Sequence, residues 1–164
     1  MVSVEVLKHF QLFEGLDENE LGQIVELCKE RSYEEGSIIF TGGILGPHNP
    51  AAEIYLLKNG AIDIQVEFVI YDLEAKTTIY TVKKGETFAW SALVSPYKLT
   101  ALARCQVKSE VITINGKDLM NVLEKNNCIG FVVMRNLSKV ISLRLAATMT
   151  VLRHQIQRTS TRKE

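Results

Sequence analysis

Cysteine is scarce and unpatterned in this chain. The three present, Cys28, Cys105 and Cys128, are odd in number and share no CxxC spacing, so they do not form a disulfide framework. They read as reduced thiols of a cytoplasmic protein, each a small buried hydrophobe rather than a nucleophile. An excess of either charge is also missing. Nineteen Lys and Arg balance nineteen Asp and Glu, and no global positive field gathers nucleic acid or anionic lipid. No uncharged run reaches the roughly 20 apolar residues of a membrane span. The first residues, Met1-Val-Ser-Val-Glu-Val-Leu-Lys-His, carry charges inside their apolar run and lack the core of a signal peptide. Catalytic signatures are absent as well: there is no HExxH and no nucleophile elbow, and Ser91 has no His-Asp partners in sequence reach. His9, His48 and His154 lie in three different segments with no paired ligand spacing. The expectation is no enzymatic activity and no bound metal.

What is present suits a globular chain. Hydrophobic residues make up 46% and charged residues 23% of 164 positions, enough for one ordinary domain with a helical tail.

The hydrophobic period divides the chain into three parts. Over about residues 4–30 it is helical: Val6, Leu7, Phe10 and Phe13 share one face until Gly15 interrupts. Asp17 and Glu20 form a capping-box pattern for a second helix, with Leu21, Ile24, Val25 and Cys28 on its inner face. Over residues 31–114 the period drops to 2, in segments rich in β-branched and aromatic residues: 37–40, 53–57, 61–68, 77–82 and 110–114. Turn signals separate them at Glu35-Gly36, Asn59-Gly60, Tyr71-Asp72 and Lys84-Gly85. Short, evenly spaced strands without long helices between them predict an antiparallel sandwich or barrel. A Gly/Pro-rich loop, Thr41 to Ala52, reads as a surface excursion or as a lid. The last part is helical again, with a short amphipathic segment after Asn115-Gly116. A long helix follows from about Cys128 to Arg158, where Met134, Leu137, Ile141, Leu145, Thr148, Leu152 and Ile156 recur at steps of 3 or 4. Thirty helical residues span about 45 Å, longer than the flank of one small barrel. Part of that stripe is therefore expected to meet a second chain as a two-helix seam, the alternative being a helix folded back over its own barrel. The expected units are 1–126, a β-roll with N-terminal helices, and 127–164, a long dimerisation helix and tail.

The segment Gly85-Glu-Thr-Phe-Ala-Trp-Ser-Ala-Leu-Val-Ser-Pro-Tyr-Lys-Leu-Thr-Ala-Leu-Ala-Arg-Cys resembles the phosphate-binding cassette of cyclic-nucleotide-binding domains in the catabolite activator (CRP/FNR) superfamily. Leu12-Phe13-Glu14-Gly15-Leu16, the hairpin around Asn59-Gly60, and Glu110-Val-Ile-Thr-Ile leading into Asn115-Gly116 resemble other landmarks of that family in register. The resemblance covers about residues 7–157. It implies an α+β fold: an antiparallel β-roll, or jelly roll (double-stranded β-helix), with N-terminal helices, a hinge helix and a long C-terminal dimerisation helix.

An anionic phosphodiester requires unpaired N–H donors and positive potential, which a helix amino end and an Arg fork supply. The resemblance places the ligand site at Gly85, Glu86, Phe88, Ala89, Trp90, Ser91 and Ala92, continuing through Lys98, Leu99 and Thr100. In the same register, Trp90 stands where nucleotide binders have a ribose-binding Glu, Leu99 where they have the phosphate-binding Arg, and Ala89 where a glycine precedes the Glu. Losing an Arg–phosphate pair removes about 1.5–3 kcal/mol, which argues against conventional binding of cAMP or cGMP. Lys98 is the substitute cation one position away, and Arg104 is a second choice better read as a solvent-facing strand residue. Haem, through His48 or Cys105, is disfavoured, and the expected cofactor complement is none.

Superfamily transcription factors carry a helix-turn-helix after the long helix, whereas only Thr159-Ser-Thr-Arg-Lys-Glu remains here. Arg153, Arg158, Arg162 and Lys163 suit a helix C-terminus, and no direct DNA binding is expected. The leading reading is a stand-alone signal-transduction module: a homodimer that senses a small effector and passes the signal through its C-terminal helices to a protein partner. The competing reading is a structural or protein-interaction module whose pocket Trp90 and Leu99 have closed. A cupin-type enzyme would need a His/Glu metal cluster that the sequence lacks.

Overall fold

The computed structural model describes residues 2–43, 49–70 and 73–161. His48, the Tyr71-Asp72 turn, and the tail residues Arg162 and Lys163 lie outside the described residues, as do the side chains of Ile156 and Arg158.

Helix α1 (Val4–Leu7) and a 3-10 turn (Gln11–Phe13) lead into α2 (Glu18–Val25). The capping box forms: Glu20 N–H donates to Asp17 Oδ1 at 2.8 Å, and Asp17 N–H donates to Glu20 Oε2 at 2.9 Å. The helical segment is shorter than its sequence pattern. Strand β1 (Cys28–Tyr33) begins where a continued helix was expected, pairing antiparallel along its whole length with β8 (Ser109–Asn115), from Cys28↔Ile114 to Tyr33↔Ser109. A ladder contributed by residues some eighty positions away overrides local helix propensity. Cys28 still belongs partly to the helix end, donating its thiol to the Ile24 carbonyl at 3.4 Å.

Between them run β2 (Ile38–Phe40), β3 (Glu53–Asn59), β4 (Ile62–Ile70), β5 (Leu73–Val82), β6 (Thr87–Phe88) and β7 (Leu102–Cys105). Two four-stranded antiparallel sheets result, in the orders β1-β8-β3-β6 and β2-β7-β4-β5. This is the expected α+β jelly roll. The period-2 reading explains which face each residue takes. In β3, Ile54 and Leu56 pack among the helices, while Tyr55 and Leu57 face the interior between the sheets. In β4, Ile62 and Ile64 are buried, and the Asp63 carboxylate accepts from Thr81 Oγ1 at 2.6 Å and Gln106 Nε2 at 2.7 Å.

Helix α3 (Gly116–Lys125) is capped by Asn115, whose Oδ1 accepts from the N–H groups of Lys117 and Asp118. Helix α4 runs from Asn127 to Thr161. Its inner face, Ile129, Val133, Leu137 and Val140, is buried; the first three join the cluster made by the N-terminal helices, the outer face of β3 and β8, and α3. Asn136 fastens this face: its amide donates to the carbonyls of Leu12 at 3.2 Å and Glu14 at 2.8 Å. The single stripe expected from the sequence is therefore divided. Leu137 turns inward onto its own roll, whereas Met134, Ile141, Leu145 and Leu152 are exposed and Thr148 is half-buried. The reason is angular: at about 100° per residue the inner residues and the exposed set lie roughly a quarter-turn apart. Among the described residues, no helix is long and apolar enough to cross a membrane.

Candidate ligand cavity

The cassette begins at a tight turn. Gly85 has φ +85°, a conformation that costs a residue with a Cβ about 1–2 kcal/mol. Its N–H donates to Leu57 O, and Leu57 N–H donates to Glu86 O, both at 2.9 Å. The Glu86 carboxylate accepts from Lys83 N–H at 2.9 Å and from the Tyr80 hydroxyl at 2.8 Å. Glu86 thus closes the turn. Thr87 and Phe88 pair with β3, and the Phe88 ring stacks on Tyr55 with centroids 5.1 Å apart. Ala89 then takes a left-handed conformation, φ +58°, and starts the 3-10 turn Trp90–Ala92. The turn bonds internally, Ala92 N–H to Ala89 O and Leu93 N–H to Trp90 O. Among the described residues, the N–H groups of Ala89, Trp90 and Ser91 donate to no backbone carbonyl.

A cavity of about 110 Å³ lies between this turn, the roll and α4. Phe40, Ile64, Ile79 and Phe88 form its apolar floor; Ala89, Trp90 and Ser91 come from the turn, and Leu99, Thr100 and Ala101 close another side. Leu99 is held from behind by the loop 41–52. Its N–H donates to Asn49 O at 3.0 Å, and a Cβ at Gly42 would stand 2.5 Å from the Leu99 Cβ. The loop's ends are thus tied to the cassette, while residues 44–48 lie outside the described residues.

Of the residues expected from the sequence, the structure brings Phe88, Ala89, Trp90, Ser91, Leu99 and Thr100 to one cavity. Gly85 and Glu86 support it from the preceding turn, and Ala92 packs behind it with Leu99 and Ala51. Lys98 does not reach it: the residue is exposed, its backbone bridged to Pro50, and it is no part of the wall. Neighbours in an extended segment face opposite ways, and Leu99 takes the inward place. Arg104 is also outside, exposed on β7 and donating to Gly36 O at 3.2 Å.

The cavity's cation comes from a residue that the sequence reading passed over. Arg144 of α4 lines the cavity and is only 8% exposed. Its guanidinium lies 3.4 Å from the Tyr80 ring centroid and 5.2 Å from that of Trp90. Nη2 donates to the Thr87 carbonyl at 3.4 Å, and among the described residues no carboxylate pairs with it. Burial pulls its pKa below the ordinary arginine value, opposed by the Tyr80 and Glu86 charges. Burial, then the hydrogen bond to Glu86, pushes the Tyr80 hydroxyl up. The signal was available: Arg144 falls on the helical spacing of Val133, Leu137 and Val140, so it is a charge on an apolar face. Among the described residues, no group of three or more His, Cys, Asp or Glu could hold a metal ion.

This architecture recurs in solved structures. A chain from Geobacter metallireducens GS-15, described as a cyclic nucleotide-binding protein, superposes with a TM-score of 0.72 at 29% identity, covering 88% of this chain and 99% of that one. A cyclic nucleotide-binding domain from Methylobacillus flagellatus KT gives a TM-score of 0.76 at 13% identity, covering 93% and 81%. The Thermus thermophilus catabolite activator protein gives 0.65 at 21% identity, covering 88% and 62%. The chain has the cyclic-nucleotide-binding-domain fold of the CRP/FNR type. At the level of sequence, no family profile and no curated protein matches it.

Within this cyclic-nucleotide-binding-type fold the cassette backbone is in place, and both positions at which the resemblance expects a charged ligand-binding group face the cavity with apolar side chains, Trp90 and Leu99. The positive charge enters instead from the long helix.

Proposed function

We propose that this chain is a ligand-sensing regulatory module rather than an enzyme, binding a small effector in the cassette cavity and signalling through α4. One observation carries the reading: Arg144 of α4 forms part of the cavity wall, so an occupant touches the signalling helix directly. A ligand that contacts one placement of Arg144 better than another shifts the population of helix positions by that difference. The similar folds, among them a c-di-GMP-responsive global regulator from Xanthomonas campestris, support an effector-binding role.

The output surface is the second half of α4. Leu145, Met149 and Leu152 are 62, 57 and 52% exposed at steps of 4 and 3, the spacing of a helix–helix seam. The chain forms a homodimer through this face, and a downstream protein reads the resulting arrangement. Sedimentation should give a dimer for the native chain and a monomer for Leu145→Glu with Leu152→Glu.

The test of sensing is native mass spectrometry of protein purified from its own cells, with calorimetric titration of the stripped protein by cAMP and cGMP. A stoichiometric co-purifying small molecule that alters the emission of Trp90, the single tryptophan, supports the reading. A second reading has its own observation: at about 110 Å³ the cavity is well below the roughly 300–1,000 Å³ of ordinary ligand sites. If nothing co-purifies and nothing binds, the chain is an interaction module with a closed pocket.

A further inference from the structure

The cavity is mostly apolar, yet one wall is a buried cation that, among the described residues, has no ion-pair partner. A guanidinium presents five N–H donors, and among the described residues Arg144 uses one of them, at 3.4 Å to Thr87 O. Its ring contacts cover a face of the planar group and leave the other edge donors without a hydrogen bond among the described residues. The nearest candidate counter-charge, Glu86, is committed elsewhere, to Lys83 N–H and the Tyr80 hydroxyl. Buried charges are normally paired, because an unpaired one forfeits its hydration. Ser91 and Thr100 add hydroxyls to the same cavity, while Phe40, Ile79 and Leu99 make the remainder apolar.

Resting on the reading of this cavity as the effector site, we propose that Arg144 is its anion-binding group and that the effector class is a small organic monocarboxylate. The carboxylate pairs with the edge of the guanidinium, and the apolar part lies against the floor of the roll. Size limits the class. An apolar cavity of about 150 Å³ holds the six carbons of benzene, so in proportion about 110 Å³ admits an apolar part of about four non-hydrogen atoms, with the carboxylate at the mouth. A bare inorganic anion would leave the apolar walls unused, and a whole nucleotide exceeds the space. Because Arg144 belongs to α4, the anion binds the helix and the roll together.

The experiment titrates the full chain with acetate, butyrate and valerate, and with valeramide as the neutral match of valerate, following Trp90 fluorescence and heat. Butyrate and valerate are expected to saturate the protein, with valeramide at least tenfold weaker. Loss of a charge-assisted pair corresponds to tenfold to over a hundredfold in affinity, which is the expected effect of Arg144→Gln on the carboxylates. Valeramide affinity should be unchanged by that substitution, and Arg144→Lys should recover part of the loss. Urea unfolding of each variant establishes that it is folded, and Arg144→Met serves if Arg144→Gln is not.

Equal affinity for valerate and valeramide, or carboxylate binding indifferent to Arg144→Gln, overturns the proposal and leaves the sensor reading standing. Failure of every carboxylate to saturate the native protein also overturns it. The sensor reading then stands or falls separately, on the co-purification result.

Discussion

The Arg144 guanidinium sits 3.4 Å from the centre of the Tyr80 ring, joining the long helix to strand β5 through a cation and an aromatic face. Tyr80 is held in turn by its hydroxyl, which donates to Glu86 at 2.8 Å. A chain of contacts thus runs from the cassette's first turn to the middle of α4.

That chain can be measured. A desolvated cation–π contact contributes about 2 kcal/mol. Tyr80→Leu removes the face from under a buried charge and should destabilise by about 2 kcal/mol or more in urea unfolding. Tyr80→Phe keeps the ring and should lose less. A double-mutant cycle of Tyr80→Leu with Arg144→Gln should show a coupling of about 1–2 kcal/mol; additivity would mean the two residues are merely adjacent.

Ala89 holds φ +58°, a region that costs a residue with a Cβ about 1–2 kcal/mol. Ala89→Gly relieves this but adds about 0.4–1 kcal/mol of unfolded-state entropy. The net expectation is a gain of about 0.5 kcal/mol and a slightly larger cavity. Ala89→Val, β-branched in the same conformation, should be clearly destabilising. Urea midpoints of the three proteins decide the order.

Asn136 spans α4 and the N-terminal turn by donating to two carbonyls, those of Leu12 and Glu14. Asn136→Leu leaves both acceptors without their donor at a buried position, a loss of about 1–3 kcal/mol. Hydrogen exchange should show the loosening concentrated in residues 11–16 and the first half of α4.

The thiols differ in environment, and alkali should expose the difference. Burial pushes the Cys28 thiol up to about 12 from 9.0. A pKa raised on folding means stability that is complete below the unfolded value and lost as pH rises toward the folded one. Stability should therefore fall between about pH 9 and 12, and Cys28→Ala should flatten part of that slope. Tyr80, also raised by burial, contributes in the same direction from about pH 10 upward. At pH 8 a thiol reagent should modify exposed Cys128 first, with Cys28 and buried Cys105 reacting on unfolding.

Nucleotide binding gives a further expectation. With Trp90 and Leu99 at the two positions where charged groups are expected, and a cavity of about 110 Å³, cAMP and cGMP should give no saturable heat at micromolar concentration. The doubly substituted Trp90→Glu, Leu99→Arg chain tests whether the scaffold itself admits them. Binding restored there would mean the two side chains alone exclude the nucleotide.

Local chemistry determined the elements whose signals lie within a few residues. The capping box at Asp17 and Glu20, the cap at Asn115, the alternation of Ile62 and Ile64 against Asp63, and the long final helix could all be read from spacing. The cassette's landmarks, being contiguous, placed the fold and six of the cavity-lining residues. Three matters were decided only in the folded chain. Cys28–Tyr33 became a strand because β8, distant in sequence, offered it a ladder. The apolar stripe of α4 divided because its residues lie about a quarter-turn apart on the helix, so Leu137 found a core and Leu145 did not. The cavity's cation was Arg144 rather than Lys98, since extended backbone turns Lys98 outward while α4 crosses the mouth of the roll. Spacing along the chain specifies which face a residue takes; which faces meet depends on how the sheets and helices dock.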